Sequence, residues 1–179
     1  MTETSLDGAR VREFGHPDLD RLDLQLLDAL QRNARSTFAE LAAAVGLGSS
    51  AVHERVKRLE QRGYLKGYSA RLDGRRLGIE LTAFVSVYTT PEVQYDAFAR
   101  VVSALPEIAE IHSVAGEESF VLKVLTRSTA HLDDFLSRLK VIDGIARTKT
   151  TIVLSTPFER DGLALAGLVG DGAARGNGR

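Results

Sequence analysis

The chain contains no cysteine. A disulfide framework, a thiolate metal site and a cysteine nucleophile are therefore excluded together. It also lacks any apolar run near the ~20 residues that cross a bilayer. Its first twenty residues, carrying Glu3, Asp7, Glu13 and Asp18, are unlike a secretion signal, so a cytoplasmic location without membrane attachment is expected. Four histidines, His16, His53, His112 and His131, are scattered without metal-ligand spacing. There is no Gly-rich phosphate loop after a strand and no Gly-x-Ser-x-Gly elbow, and the acidic pair Glu117-Glu118 has no evident partner base. We expect no enzyme, no metal and no cofactor. What is present is an ordinary globular composition, 44% hydrophobic and 26% charged over 179 residues, enough for one large domain or two small ones.

The formal net charge of -1 hides an uneven distribution. Residues 20–77 hold 11 Lys/Arg against 7 Asp/Glu, a net of +4, while residues 78–158 hold 7 against 10, a net of -3. Nucleic-acid affinity depends on where cations gather, so phosphate contact belongs to the first half.

Hydrophobic spacing divides the chain further. Residues 1–17 show no periodicity and read as a flexible arm. Within 18–63, Leu19, Leu22, Leu26, Leu27 and Leu30 recur on one helical face. Thr37 and Glu40 have capping-box spacing ahead of Phe38, Leu41, Ala42 and Val45, with Gly46 as the stop. A third helix from Ser49 to Arg62 buries Val52, Val56 and Leu59 and ends at Gly63. Residues 64–78 read as extended linker, with a turn at Asp73-Gly74. Residues 79–158 change rhythm. Leu81, Ala83, Val85 and Val87 alternate as a strand, and Tyr95, Phe98, Val102 and Leu105 repeat as a helix. Strands over 108–114 and 120–126, a helix carrying Leu132, Phe135, Leu136 and Leu139, and a last strand over 146–155 complete the order βαββαβ. This is the ferredoxin-like arrangement of an α+β fold, with helices on one face of the sheet and the other left for a partner subunit. From Asp161 onward six of nineteen residues are glycine, so 159–179 reads as a flexible tail.

On a 100° wheel with Val52, Val56 and Leu59 inward, the third helix turns Ser50, His53, Glu54, Lys57, Arg58 and Gln61 outward. A capped helix, a glycine turn, a second amphipathic helix and a positive excess in succession predict a helix-turn-helix. The second helix of such a motif lies in the major groove, its N-terminal residues at base edges and its later cations at phosphates. Ser50, His53, Glu54 and Lys57 are then candidate readers, Arg55, Arg58 and Arg62 candidate backbone contacts, and Ser49 a further DNA-binding candidate at the helix start. A solvated surface strip is the bland alternative. A sensing subunit that binds an enzyme, and an RNA-binding sheet, are the rival functions. The first leaves residues 18–63 unexplained, and the second lacks the aromatic third-strand motif.

Several segments resemble the Lrp/AsnC family of transcription regulators: residues 19–23 (Leu-Asp-Arg-Leu-Asp), 40–42, 45–47, Arg55-Val56-Lys57-Arg58-Leu59-Glu60, 67–70, 77–78, 84–87, 114–116, 122–124 and 148–150. The resemblance spans about 18–158. It implies a winged helix-turn-helix followed by a RAM/ACT-like ferredoxin domain, and homodimers assembling to octamers on a near-palindromic operator. It also implies an amino acid effector bound at the turn between the second and third strands, here Gly116, Glu117, Glu118 and Ser119. Thr148 and Thr150 match a last-strand threonine pattern and are further effector candidates, although threonine also suits a strand for its own sake. Two positions depart from the family pattern. Gly48 stands where the recognition helix is commonly capped by serine, a role Ser49 is expected to assume. Ser119 stands where aspartate is frequent, and the carboxylates of Glu117 and Glu118 point to Lys or Arg as effector.

Overall fold

The first helix, α1 (Arg21–Arg32), begins at a reciprocal cap. The Asp20 carboxylate accepts the Asp23 N–H at 2.8 Å, and the Asp23 carboxylate accepts the Asp20 N–H at 3.3 Å. Two backbone amides at this helix start are thus satisfied by aspartates. The computed structural model describes residues 19–160 and 162–165. The arm read at 1–17 lies outside these residues.

Helix α2 (Phe38–Val45) carries the expected box: the Glu40 N–H donates to Thr37 Oγ1 at 3.2 Å and the Thr37 N–H to Glu40 Oε2 at 2.7 Å. It stops at Gly46, whose φ of 71° suits a residue without a Cβ. Helix α3 (Ser49–Gln61) starts from Gly48 with no side-chain cap, and Ser49 is its first helical residue. The serine therefore does not assume the capping role expected of it. A residue with helical backbone stands one position too late to reach back to those amides. Leu26, Leu30, Leu41, Ala42, Val52, Val56 and Leu59 form the core of this three-helix unit. Each fully buried aliphatic side chain contributes roughly 1.5–3 kcal/mol. Phe38, expected among them, is 41% exposed.

After α3 the chain is extended without pairing into any strand, so the segment read as linker or wing forms no hairpin. It closes with a 3₁₀ turn at Arg75–Leu77. The structure separates into two units between Ala70 and Arg71, and residues 162–165 group with the first. Part of the tail expected to be loose is in fact held. Gln31 on α1 donates from Nε2 to the Leu163 carbonyl at 2.8 Å and accepts the Leu163 N–H on Oε1 at 2.9 Å. Gly162 has φ 84°, and a Cβ there would collide with Gln31 Oε1. Leu165 is buried. The glycine that made this stretch look loose is what permits the close approach. The rest of the tail lies outside the described residues.

The second unit runs β1 (Leu81–Thr89), α4 (Tyr95–Val102), β2 (Ile108–Ser113), β3 (Phe120–Thr126), α5 (Thr129–Lys140) and β4 (Ile145–Ile152). Its antiparallel sheet has the order β2-β3-β1-β4. The last strand ends at Ile152, three residues short of the expected position. Val85 stands opposite Leu122 on one side and Thr150 on the other. Alternation sends Ala83, Val85, Val87, Phe120, Leu122 and Val124 to one face, where Phe98, Val102, Leu132, Phe135 and Leu139 from the helices cover them. Phe84, 40% exposed, and half-buried Tyr88, Val121 and Leu125 lie on the opposite face.

A buried polar cluster ties α5 to the loop before β2. Glu107 is 6% exposed, and its Oε1 accepts from His131 Nε2 at 2.9 Å and from Arg138. His131 Nδ1 takes the Arg127 N–H at 3.3 Å, which assigns the ring proton to Nε2. Burial alone would raise the Glu107 pKa, but Arg138 and His131 outweigh it and hold the carboxyl below its ordinary value near 4.5. A pKa depressed in the folded state contributes stability above the unfolded value, and that stability is lost as pH falls through the folded one. Glu107→Gln is therefore expected to lower the melting temperature at pH 7, and the gap to wild type should close as pH drops below about 4.5. A gap of constant size in circular-dichroism melts from pH 7 to 3 would contradict this.

Candidate DNA-reading helix and effector turn

Helix α3 keeps its apolar side on α1 and α2 and its polar side in water. Ser49, Ser50, His53, Glu54, Lys57, Arg58, Gln61 and Arg62 are all exposed, and Arg55 is half-buried. Glu54, Arg55, Lys57, Arg58 and Gln61 line a shallow concavity on this side. The His53 ring meets the edge of Phe38 at 5.0 Å between centroids and 89° between planes. The phenylalanine thus braces a candidate reader instead of filling the core.

Two of the arginines are engaged within the unit. Arg55 Nη1 lies 2.6 Å from Asp20 Oδ2 and 2.8 Å from Asp23 Oδ1. Arg58 Nη2 lies 3.1 and 3.2 Å from the two oxygens of Asp23, a carboxylate whose side chain is 2% exposed. Burial works against ionisation of Asp20, but the Asp23 amide and Arg55 prevail and its pKa is lowered, while Asp20 and Asp23 raise that of Arg55. The Tyr68 hydroxyl donates to Glu60 at 2.8 Å, pinning the extended segment to α3. Burial and then Glu60 push this phenol up to about 12. From the sequence, Asp20, Asp23 and Tyr68 stand only within segments that resemble the family and Phe38 only on the apolar face of α2; none of the four is read there as part of the site. Only Asp20-x-x-Asp23 left a trace there, as a cap spelled with two aspartates.

The β2–β3 turn is tied to the end of β1. The Ser119 N–H donates to the Val87 carbonyl at 2.9 Å, Val114 N–H donates to the Ser119 carbonyl at 3.2 Å, and the Ser119 and Thr89 hydroxyls meet at 2.8 Å. Ser119 therefore anchors the turn through its hydroxyl, and Thr89 is a neighbour that sequence reasoning missed. Glu117 is exposed and Glu118 half-buried. Gly116 does not have left-handed backbone, and a Cβ on it would meet Glu118 Oε2 at an unstrained 3.6 Å. Thr148 pairs with Val87 and Thr150 with Val85, so both share the helix-covered face and are half-buried. Phe120 flanks Val87 from the other side. The sheet thereby brings the turn and Thr148 to the same end of β1, with Thr150 one pair further along.

Two arrangements thus sit in separate units: a polar helix face with oriented cations, and a turn with one exposed and one half-buried carboxylate beside hydroxyls at a sheet end. The first can hydrogen-bond base edges and phosphates. The second can hold a small zwitterion, whose ammonium needs acceptors and whose carboxylate needs amides. Comparison with known proteins agrees. Residues 19–60 match the AsnC-type helix-turn-helix domain, and residues 82–163 match the Lrp/AsnC ligand binding domain. Over 138 residues the chain is 41% identical to the HTH-type transcriptional regulator LrpA of Mycobacterium tuberculosis, a stretch covering 77% of this chain and 91% of that protein. It is 32% identical over 143 residues to the regulatory protein AsnC of Escherichia coli K12, covering 79% of this chain and 94% of that one. Among solved structures, the feast or famine regulatory protein from M. tuberculosis complexed with L-methionine superposes with a TM-score of 0.74 at 40% identity. That match covers 79% of this chain and 95% of the other.

Proposed function

The chain belongs to the Lrp/AsnC family of transcription regulators, and from that premise we propose how its two sites work. Helix α3 enters the major groove with Ser49, Ser50, His53 and Glu54 toward base edges. Lys57, read from the sequence as a base contact, is reassigned with Arg58 and Arg62 to phosphates, because it lies a turn further from the N-terminus of α3. The observation that carries this reading is the division of α3 itself. Val52, Val56 and Leu59 are buried while Ser50, His53, Glu54, Lys57 and Gln61 stand in solvent. Protomers pair through the open sheet face that holds Phe84 and Tyr88, dimers assemble to octamers, and paired recognition helices about 34 Å apart favour a near-palindromic operator. No helix among the described residues is long and apolar enough to cross a membrane, in keeping with a cytoplasmic protein. It works on duplex DNA with no cofactor beyond its effector.

The effector lies at Gly116–Ser119 with Thr148 and Thr150 nearby, and Lys or Arg is the proposed ligand because Glu117 and Glu118 offer two carboxylates to a cationic side chain. Methionine is the second reading, supported by the L-methionine complex of the relative. Bound between subunits, the amino acid favours the assembly it fits best and so shifts DNA affinity. The test is fluorescence anisotropy on a duplex from the gene's own upstream region, titrated with salt in the presence of Lys, Arg, Met or Leu. The expected result is an affinity that falls steeply with salt and moves with Lys or Arg. A response confined to Met transfers the effector assignment to the second reading, and salt-insensitive or absent binding refutes the DNA-binding mode.

A further inference from the structure

Resting on the reading that α3 enters the groove, we infer that Asp23 is a positioning residue for DNA recognition. From the N-terminal turn of α1 it sets the rotation of α3 by gripping Arg55 and Arg58. Asp23 is 1% exposed, so its charge is out of water and depends on its partners. Those partners are Arg55 Nη1 at 2.8 Å, Arg58 Nη2 at 3.1 and 3.2 Å, and the Asp20 N–H at 3.3 Å. Asp20 adds a second carboxylate to Arg55 at 2.6 Å.

The geometry makes this more than a stabilising contact. Residues three apart on a helix lie one above the other on the same edge. Arg55 and Arg58 therefore mark one edge of α3, immediately beside the side carrying His53, Glu54, Lys57 and Gln61. Apolar packing of Val52, Val56 and Leu59 holds the helix down but is non-directional, so it tolerates a small roll about the axis. A buried carboxylate bound to both guanidinium groups does not, because charge-assisted hydrogen bonds weaken steeply with angle. The concavity on the exposed side has those two arginines as lining residues, so the clasp also fixes its shape. Arg55, only 24% exposed along its side chain, acts here on the helix and not on phosphate. Arg58, 44% exposed and held through Nη2 alone, is aimed rather than consumed.

The test uses the full-length chain, a duplex selected from a randomised pool with the wild-type protein, and a scrambled duplex of equal length, both titrated with salt. Asp23→Asn is expected to weaken binding to the selected duplex by roughly 10-fold or more. Binding to the scrambled duplex should be unchanged or tighter, since one negative charge has left the cationic side. A merely destabilised domain would lose both together, and that outcome, or an unchanged ratio of the two affinities, overturns the inference. If Asp23→Asn loses its helical circular dichroism, Arg55→Lys, which keeps the charge but not the planar fork, gives the same reading at smaller amplitude. Lys57→Ala is the control. It should weaken both duplexes alike and reduce the salt slope by about one. If Lys57→Ala changes nothing, the groove reading itself fails, whatever Asp23→Asn does.

Discussion

A chain carrying Val52→Asp is expected to lose measurable affinity for duplex DNA while its C-terminal unit still unfolds cooperatively. Val52 is 0% exposed and packs in the cluster built by Leu26, Leu30, Leu41, Ala42, Val56 and Leu59. A carboxylate there has no partner, and an unpaired buried charge costs several kcal/mol. A domain of about fifty residues has only about 3–8 kcal/mol of stability at typical values per residue, so the helix-turn-helix has no reserve. The second unit has its own core, from Ala83 to Leu139, and contains none of the residues disturbed. Anisotropy and circular-dichroism melting on one sample separate the two effects. Duplex affinity within tenfold of wild type would mean that the apolar side of α3 is not what holds its polar side in place.

The second large effect belongs to Phe135. Its ring is 0% exposed on α5, in a cluster with Val85, Val87, Phe98, Leu122, Val124 and Leu139. Phe135→Ala removes most of a side chain from a close-packed interior and leaves a cavity, at a cost of about 3–5 kcal/mol. For a unit of this size each kcal/mol lowers the melting temperature by roughly 4–8 °C, so a drop of at least about 12 °C is expected. A drop below about 4 °C would show that the helix layer can collapse onto the gap. Because the β2–β3 turn proposed to hold the effector is anchored on β1 through Val87 and Thr89, loss of this core should also weaken the response to amino acids. It should not alter the helical signal of the first unit.

Much of this architecture is legible in the order of residues, and the limits have physical causes. The alternation Leu81, Ala83, Val85, Val87 and the spacing Val52, Val56, Leu59 name the inward faces of β1 and α3, because burial imposes the period of each element. Thr37-x-x-Glu40 announces a helix start in the usual residue types, whereas Asp20-x-x-Asp23 performs the same capping with a pair that pattern rules do not favour. The cations of α3 are visible as charges. That two of them belong to an aspartate 32 and 35 positions earlier is not, since nothing local encodes a tertiary partner. Phe38 is misassigned for a related reason: an apolar residue at the start of a short helix can turn to the core or to a neighbouring ring, and only His53 decides. Thr148 and Thr150 alternate as a strand should, but which face they take depends on pairing with Val87 and Val85 across the sheet.

The two-point bond between Gln31 and the backbone of Leu163 joins positions 132 apart. The helix that opens the DNA-binding unit therefore receives one of its contacts from chain made after the whole effector domain. During synthesis the three helices are made before the sheet unit and wait for it. This attachment becomes possible only after the whole sheet unit has been made, and a fusion partner placed just beyond Leu165 would press on the three-helix unit although the sheet precedes it in sequence.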